Sequence, residues 1–307
     1  ERIIKKDRSV KLLSDAKNLM PENLNKETNF VEMLVGVNET NVESVFRQIN
    51  EDNVKKTCEI INYSIEIRPL EVESFLTLTS HISSTFGVDT ITNTSGYFRS
   101  LLIARGILPQ SNDGKKHNIS FTDFSTNSIE ESIIKDDAVH FCELISDQSF
   151  DANREVNFSS VNKHNSKVLE CKSYMHLIAY FGSVKCFNQA IMNDSFDLRD
   201  ISKFAISGGN NEIVRILEQK GVSFDNCFKY GVKFHRMDLC DWLLMHTKCE
   251  SINLSKSHEY FNYPSFFFTM MNEKLFDSAL LITSNNGNIE VVKYLIEQCH
   301  ANVEEKD

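Results

Sequence analysis

No stretch of this 307-residue chain approaches the apolar length needed to cross a bilayer, and no charged-then-apolar leader precedes a small-residue cleavage site. A soluble, cytoplasmic protein is the expectation. Also missing are a Gly-rich phosphate loop with its Lys-Ser/Thr, a Gly-x-Ser-x-Gly elbow and a His-Glu-x-x-His pair. No catalytic residue and no cofactor site is therefore expected. Basic excess is absent as well: 43 Asp and Glu against 33 Lys and Arg leave a formal charge of -10. That argues against a nucleic-acid partner and favours a basic or neutral one. The exception is Arg2, Lys5, Lys6, Arg8, Lys11 and Lys17, which read as a solvated helix face. No Cys-x-x-Cys pair occurs among the eight cysteines, whose irregular spacing and apolar surroundings fit reduced thiols better than disulfides or a metal site.

What the chain does have is repetition. Gly208-Gly209-Asn210-Asn211-Glu212-Ile213-Val214-Arg215-Ile216-Leu217 has a near copy in Asn286-Gly287-Asn288-Ile289-Glu290-Val291-Val292-Lys293-Tyr294-Leu295. When Gly209 and Gly287 are taken as equivalent, further turns appear at Asp136, Gly182 and His235. Gly182 to Gly209 is 27 residues, Gly209 to His235 is 26, and His235 to Gly287 is 52, twice 26. One unit is therefore hidden, with its turn near Phe261-Asn262. The aromatic residues around Pro264 are expected to make its helices irregular.

Each unit reads as a short helix, a tight turn and a second helix. Cys186, Ile213, Leu239 and Val291 share one position of the second helix, and Phe187, Val214, Cys240 and Val292 the next. Ala190, Leu217, Leu243 and Leu295 sit four after the first of these, so all three columns should face inward. Four residues before the turn, Ser132, Ala205, Gly231 and Thr283 are small, as close helix approach requires, with Ile178 the exception. Stacked helix pairs bury a continuous core without one large globule, so function is expected on a surface rather than in a pocket.

The first part of the chain shows helical stripes without a clear repeat. Val42, Val45, Phe46 and Ile49 keep one face, as do Phe75, Leu78, Ile82 and Phe86 after Pro69 has opened their helix. Tyr97, Phe98, Leu101 and Leu102 form a shorter helix that Gly106 stops. Pro109 to Asn118 collects turn formers and is the expected linker.

Three features invite a chemical reading and fit packing better. Gly208-Gly209-Asn210 lies between two helices, not after a strand, so it is the repeat turn and not a phosphate loop. Cys240, His246 and Cys249, with His235, offer zinc-type donors at poor spacing, and Cys240 occupies an apolar column. Asp136-Asp137 reads as a turn followed by a helix N-cap. Trp242 shares its column with Ile216 and Tyr294 and should pack between repeats, while His300 stands at a helix exit that favours a left-handed residue.

Gly287 to Glu297, followed by Ala301-Asn302-Val303-Glu304-Glu305-Lys306-Asp307, resembles the second half and exit of an ankyrin repeat. Ser278-Ala279-Leu280 stands where that family carries Thr-Pro-Leu. The preceding chain, loosely 60 to 280, resembles the domain of unknown function found before ankyrin repeats in large protein families of protists. Gly106-Ile107-Leu108, Ile133 to Asp137, Phe150 to Asn153 and Phe181 to Phe187 carry that likeness. The resemblance implies an all-α fold, an ankyrin-like helical-repeat solenoid preceded by a helical N-terminal domain. The expected segments are a helical domain over 1–127, divergent short helix-pair repeats over 128–276, and an ankyrin repeat over 277–307 whose array continues past the last residue. Units near 26 rather than 33 residues imply shortened or absent hairpin fingers. The resemblance also implies a non-enzymatic scaffold that binds a protein partner on its concave face. Lys185, Arg215, Arg236 and Lys293, near the turns, are the candidate partner-binding residues. Two rivals remain: an enzyme with a site in the N-terminal helices, for example His81 with Glu73, and a structural cap for downstream repeats.

Overall fold

The computed structural model describes residues 10–91, 94, 96–109, 127–152, 154, 156, 170–193, 195–250 and 252–304. Among them the regular structure is helical: 18 α-helices, two short 3-10 turns and no strand. The chain groups into two compact units, residues 1–32 with 223–307 (unit 1) and residues 33–222 (unit 2). This is a division by packing, different in kind from the segments 1–127, 128–276 and 277–307 drawn along the sequence.

The helices in chain order are α1 (Leu13–Leu19), α2 (Glu22–Val35), α3 (Val42–Phe46), α4 (Val54–Ile67), α5 (Val72–Phe86) and α6 (Gly96–Ala104). Then come α7 (Ile129–Ile134), α8 (Ala138–Ile145), α9 (Tyr174–Phe181), α10 (Val184–Ala190), α11 (Ser202–Gly208) and α12 (Asn211–Gln219). The last six are α13 (Phe228–Lys233), α14 (Met237–His246), α15 (Leu254–Glu259), α16 (Tyr263–Glu273), α17 (Phe276–Asn285) and α18 (Ile289–Glu297).

In unit 2, α5 is the packing centre of the early helices and touches both α3 and α4. Phe75, Leu78 and Ile82 are fully buried, as their spacing demands, while Phe86 at the helix end is half-buried. Pro69 opens a 3-10 turn that runs into α5, where a missing N-H has no intrahelical acceptor to lose. Gly106 follows α6 at φ +70°, the left-handed cap expected of it. Phe98, Leu101 and Leu102 of α6 are buried, whereas the side chain of Tyr97 lies outside the described residues. The linker expected over Pro109 to Asn118 also lies outside them, apart from Pro109 itself.

The helix pairs follow the spacing read from sequence. Unit 2 holds α7/α8, α9/α10 and α11/α12; unit 1 holds α13/α14, α15/α16 and α17/α18. Their turns contain Asp136, Gly182 and Gly209 in unit 2, and His235, Phe261 and Gly287 in unit 1, all six at positive φ between 50° and 77°. The hidden unit is therefore real, and its register is the one the doubled interval implies. One expectation fails here. The segment around Pro264 is not irregular: α16 runs unbroken for 11 residues, because Pro264 falls in its first turn.

Candidate protein-interaction surface

One turn design recurs, and its chemistry explains the sequence columns. The left-handed residue closes the first helix, and the amide of the next residue returns to a carbonyl five residues back, as in a Schellman motif. These bonds run from Asp137 to Ser132, Ser183 to Ile178, Arg236 to Gly231, Asn262 to Ser257 and Asn288 to Thr283, at 2.9–3.1 Å. The small-residue column thus supplies the accepting carbonyl as well as the space. Ser257 fills that column in the hidden unit, and its hydroxyl lies 3.1 Å from that of Ser265 on the second helix.

The same next residue then starts the second helix. Asp137, Asn210, Asn262 and Asn288 accept amide hydrogens from His140, from Glu212 and Ile213, from Ser265 and from Val291. Each such cap is worth about 1 kcal/mol. The free end of the side chain ties neighbouring turns: Asn210 Nδ2 donates to the Gly182 carbonyl at 3.1 Å, and Asn262 Nδ2 to the Val232 carbonyl at 2.9 Å. Ser183 Oγ donates to the Ile133 carbonyl at 2.6 Å. Asp136, read from sequence as half of a turn, also accepts the amides of Lys185 and Cys186 at the start of α10.

The apolar columns lie inside. Cys186, Ile213, Leu239 and Val291 are buried, as are Phe187, Val214 and Cys240, and Ala190, Leu217, Leu243 and Leu295. Val292 departs from its column by being half-exposed, since α18 belongs to the last helix pair of the chain. Trp242 is half-buried and meets Phe224 edge-on at 5.4 Å, a packing contact.

Unit 1 contains an element that the periodicity did not announce. The segment from Val10 through α1 lies against the second helices α14 and α16, and Leu13 joins Phe228, Val232, Cys240 and Ile252 in one buried cluster. Val10, Ala16, Met20 and Leu24 are buried beside it. Polar groups fix the segment in place. Asn272 accepts the Val10 amide at 2.9 Å and donates to the Val10 carbonyl at 2.8 Å. The carboxylate of Asp241 accepts the Leu13 amide at 2.6 Å and the Ser14 amide at 3.3 Å, supplying the cap that Leu12 lacks. Farther along, Glu27 accepts from the Tyr263 hydroxyl at 2.9 Å and from Asn288 Nδ2 at 3.0 Å. Second helices of unit 1 are thus occupied by the chain itself.

The first helices carry different chemistry. Lys229 and Lys233 share a face of α13, and Lys256 stands on α15. Lys229 Nζ lies 5.4 Å from the centre of the Tyr230 ring, and Lys233 Nζ lies 5.7 Å from that of Tyr260. His235 Nε2 is 2.7 Å from the Tyr260 carbonyl. The acid within these two helices is Glu259, paired with Lys256. Second helices read the other way: Asp238 and Asp241 on α14, Glu273 on α16, and Glu290 and Glu297 around Lys293 on α18. Sequence reasoning missed the lysines of α13 although their signal was present, an i, i+4 pair placed six and two residues before the turn.

The four residues singled out from sequence fall in both units. In unit 2, Lys185 is exposed at the start of α10 and Arg215 is exposed on α12. In unit 1, Arg236 is half-buried as the residue before α14, and Lys293 is exposed with Nζ 3.4 Å from Glu290.

Other candidate chemistry is not brought together. His81 stands 3.5 Å from Glu43 and edge-on to Phe46, while Glu73 pairs with Arg105 instead. Among the described residues no three His, Cys, Asp or Glu side chains gather as a metal site. All eight cysteines are free. Burial pushes the Cys58 thiol up to about 11. Burial, then the nearby Asp136, pushes Cys186 to about 12. Cys240 is raised well above the usual thiol range by burial, so these groups are inert packing thiols. Gly209 at φ +77° is the turn between α11 and α12, and His300 takes the left-handed conformation at φ +55°. No described helix is long and apolar enough to cross a membrane.

Comparison with known families places two matches on this frame. The Domain of unknown function (DUF3447) matches residues 192–269, a narrower span than the loose 60 to 280 read by resemblance. The Ankyrin repeat matches residues 277–307, which contain α17 and α18. No curated protein and no solved structure matches the chain. With six helix pairs joined by one turn design, and with the two matches in this order, the chain is an ankyrin-repeat protein in which a domain of unknown function precedes the ankyrin repeat.

Proposed function

We propose that this chain is a non-enzymatic scaffold that binds a protein partner on the first-helix side of its helix pairs, the side that is concave when such pairs stack in a curve. An ankyrin repeat supports a role in protein interaction in general. The observation that carries the finer reading is the occupation of the second helices of unit 1 by residues 10–27 of the same chain. A surface already covered is closed to a partner, and the first helices and turns are what unit 1 offers instead. Lys185, Arg215, Arg236 and Lys293 are kept as contact candidates near the turns, and the segments 1–127, 128–276 and 277–307 as the repeat partition. A cytoplasmic setting goes with this reading.

The enzyme alternative needs His81 and Glu73 in one site, and their separate partners weigh against it. A thermal-shift screen of metals, nucleotides and small metabolites against the intact chain is the test. A scaffold gives no shift with any of these and a clear rise with a purified protein partner. A rise of several degrees with a small ligand would move the reading to an enzyme or a ligand sensor.

A further inference from the structure

We infer that the first-helix face of unit 1 selects an acidic protein segment, a conclusion that rests on the scaffold reading and gives its partner a chemistry. The chain is acidic overall, with a formal charge of -10, yet that charge is not spread evenly over unit 1. On α13 and α15, Lys229, Lys233 and Lys256 face a single acid, Glu259. The second helices α14, α16 and α18 carry Asp238, Asp241, Glu273, Glu290 and Glu297 against Lys293. The cations therefore gather on the face that the N-terminal segment leaves open, and the acids on the face it uses.

Segregation of this kind steers a partner of opposite sign and repels one of like sign. An acidic segment laid along α13 and α15 meets ammonium groups already held over aromatic rings, Lys229 over Tyr230 and Lys233 over Tyr260. Each ring fixes a cation whose head still reaches solvent, so less side-chain freedom is lost on binding than for a free lysine. The tyrosine rings add apolar surface with a polar tip, a composition that binding surfaces favour. A basic segment meets the same lysines as repulsion. This reverses the expectation drawn from net charge, because a partner responds to the face it touches and not to the average over the chain.

The test uses the full-length chain and two labelled peptides, deca-glutamate and deca-lysine, followed by fluorescence anisotropy at low and at moderate salt. Deca-glutamate is expected to bind and deca-lysine to fail. The pair K229E/K233E should weaken deca-glutamate binding about tenfold or more. K55E, a charge reversal on α4 in unit 2, should change it by less than about twofold by the same reasoning. K229Q/K233Q should give an intermediate loss with an unchanged melting temperature, which separates lost attraction from lost folding. Equal binding by wild type and K229E/K233E, or binding of deca-lysine instead, overturns the inference. A selection from a random peptide library on the same protein separates the two levels of the argument. Neutral or basic peptides that bind α13 and α15 would leave the scaffold standing and remove its acidic preference. No selected peptide, together with no deca-glutamate binding, would count against both.

Discussion

In unit 2 two adjacent helix pairs turn on glycine, Gly182 and Gly209 at φ +67° and +77°, whereas in unit 1 His235 and Phe261 hold the same position at +54° and +53°. Behind the unit 2 turns, Gly208 lets α11 approach α9 so closely that an added Cβ would lie 2.1 Å from the Ala179 carbonyl oxygen. Unit 1 fills its equivalent space with bulk. Phe228, Phe234, Phe266 and Phe267 are almost fully buried, and Leu13 from the N-terminal segment completes one of the clusters. One turn geometry is thus reached by backbone contact in one region and by side-chain filling in the other. The left-handed strain of about 1 kcal/mol at a non-glycine residue is tolerated where packing holds it. At His235 the hydrogen bond to Tyr260 is part of that support.

The contrast is open to attack by mutation, and the largest effect belongs to the backbone contact. Gly208→Ala should cost about 3 kcal/mol or more in urea unfolding, because the carbonyls of Ala179 and Tyr180 cannot swing away as a side chain would. Gly287→Ala, at positive φ with open space around it, should cost only about 1 kcal/mol. Equal costs at the two sites would erase the distinction between the regions.

Next in size is the filling of unit 1. Leu13→Ala should destabilise by about 2–4 kcal/mol and speed amide exchange in α1, since it empties a fully buried position among Phe228, Val232 and Cys240. Asp241→Ala should cost about 1 kcal/mol by removing the cap of α1. If α1 exchanges as fast in the wild type as in Leu13→Ala, the segment does not close the second helices.

A pH effect is confined to unit 2. His176 is buried against Phe204 with ring centres 4.4 Å apart, and Nε2 lies 2.8 Å from the Arg199 carbonyl. Burial lowers its pKa below the ordinary 6.5, outweighing the bond to Arg199. The unfolded chain then binds the proton more readily than the folded one, so this contribution to stability is complete above about pH 6.5 and declines as pH falls below it. The slope of melting temperature against pH over that acid range should shrink in His176→Phe. The smallest effect is a gain: Lys274→Gly, at φ +56° after α16, should add about 0.5–1 kcal/mol.

Much of this frame was legible in the sequence, for reasons that particular residues make plain. The doubled interval between His235 and Gly287 located the turn at Phe261, although phenylalanine is a poor signal for positive φ, because spacing survives where residue type drifts. The inward columns could be read since each repeats one helix face. Pro264 misled because proline ends a helix in its interior but begins one in its first turn, and only the Asn262 cap decides which applies. The N-terminal segment was not legible. Val10 meets Asn272 and Leu13 meets Asp241 across more than 200 residues, and no local period carries such a contact. The lysines of α13 were overlooked for another reason: the average charge conceals a face where the sign is reversed.

The central claim is that partners meet the first helices and not the second helices that the N-terminal segment covers. A photo-crosslinking amino acid placed at Tyr230 on α13, and separately at Glu297 on α18, tests it in the full-length protein inside its native cells. The account predicts discrete protein adducts from position 230 and none from position 297, whereas adducts from 297 alone would contradict it.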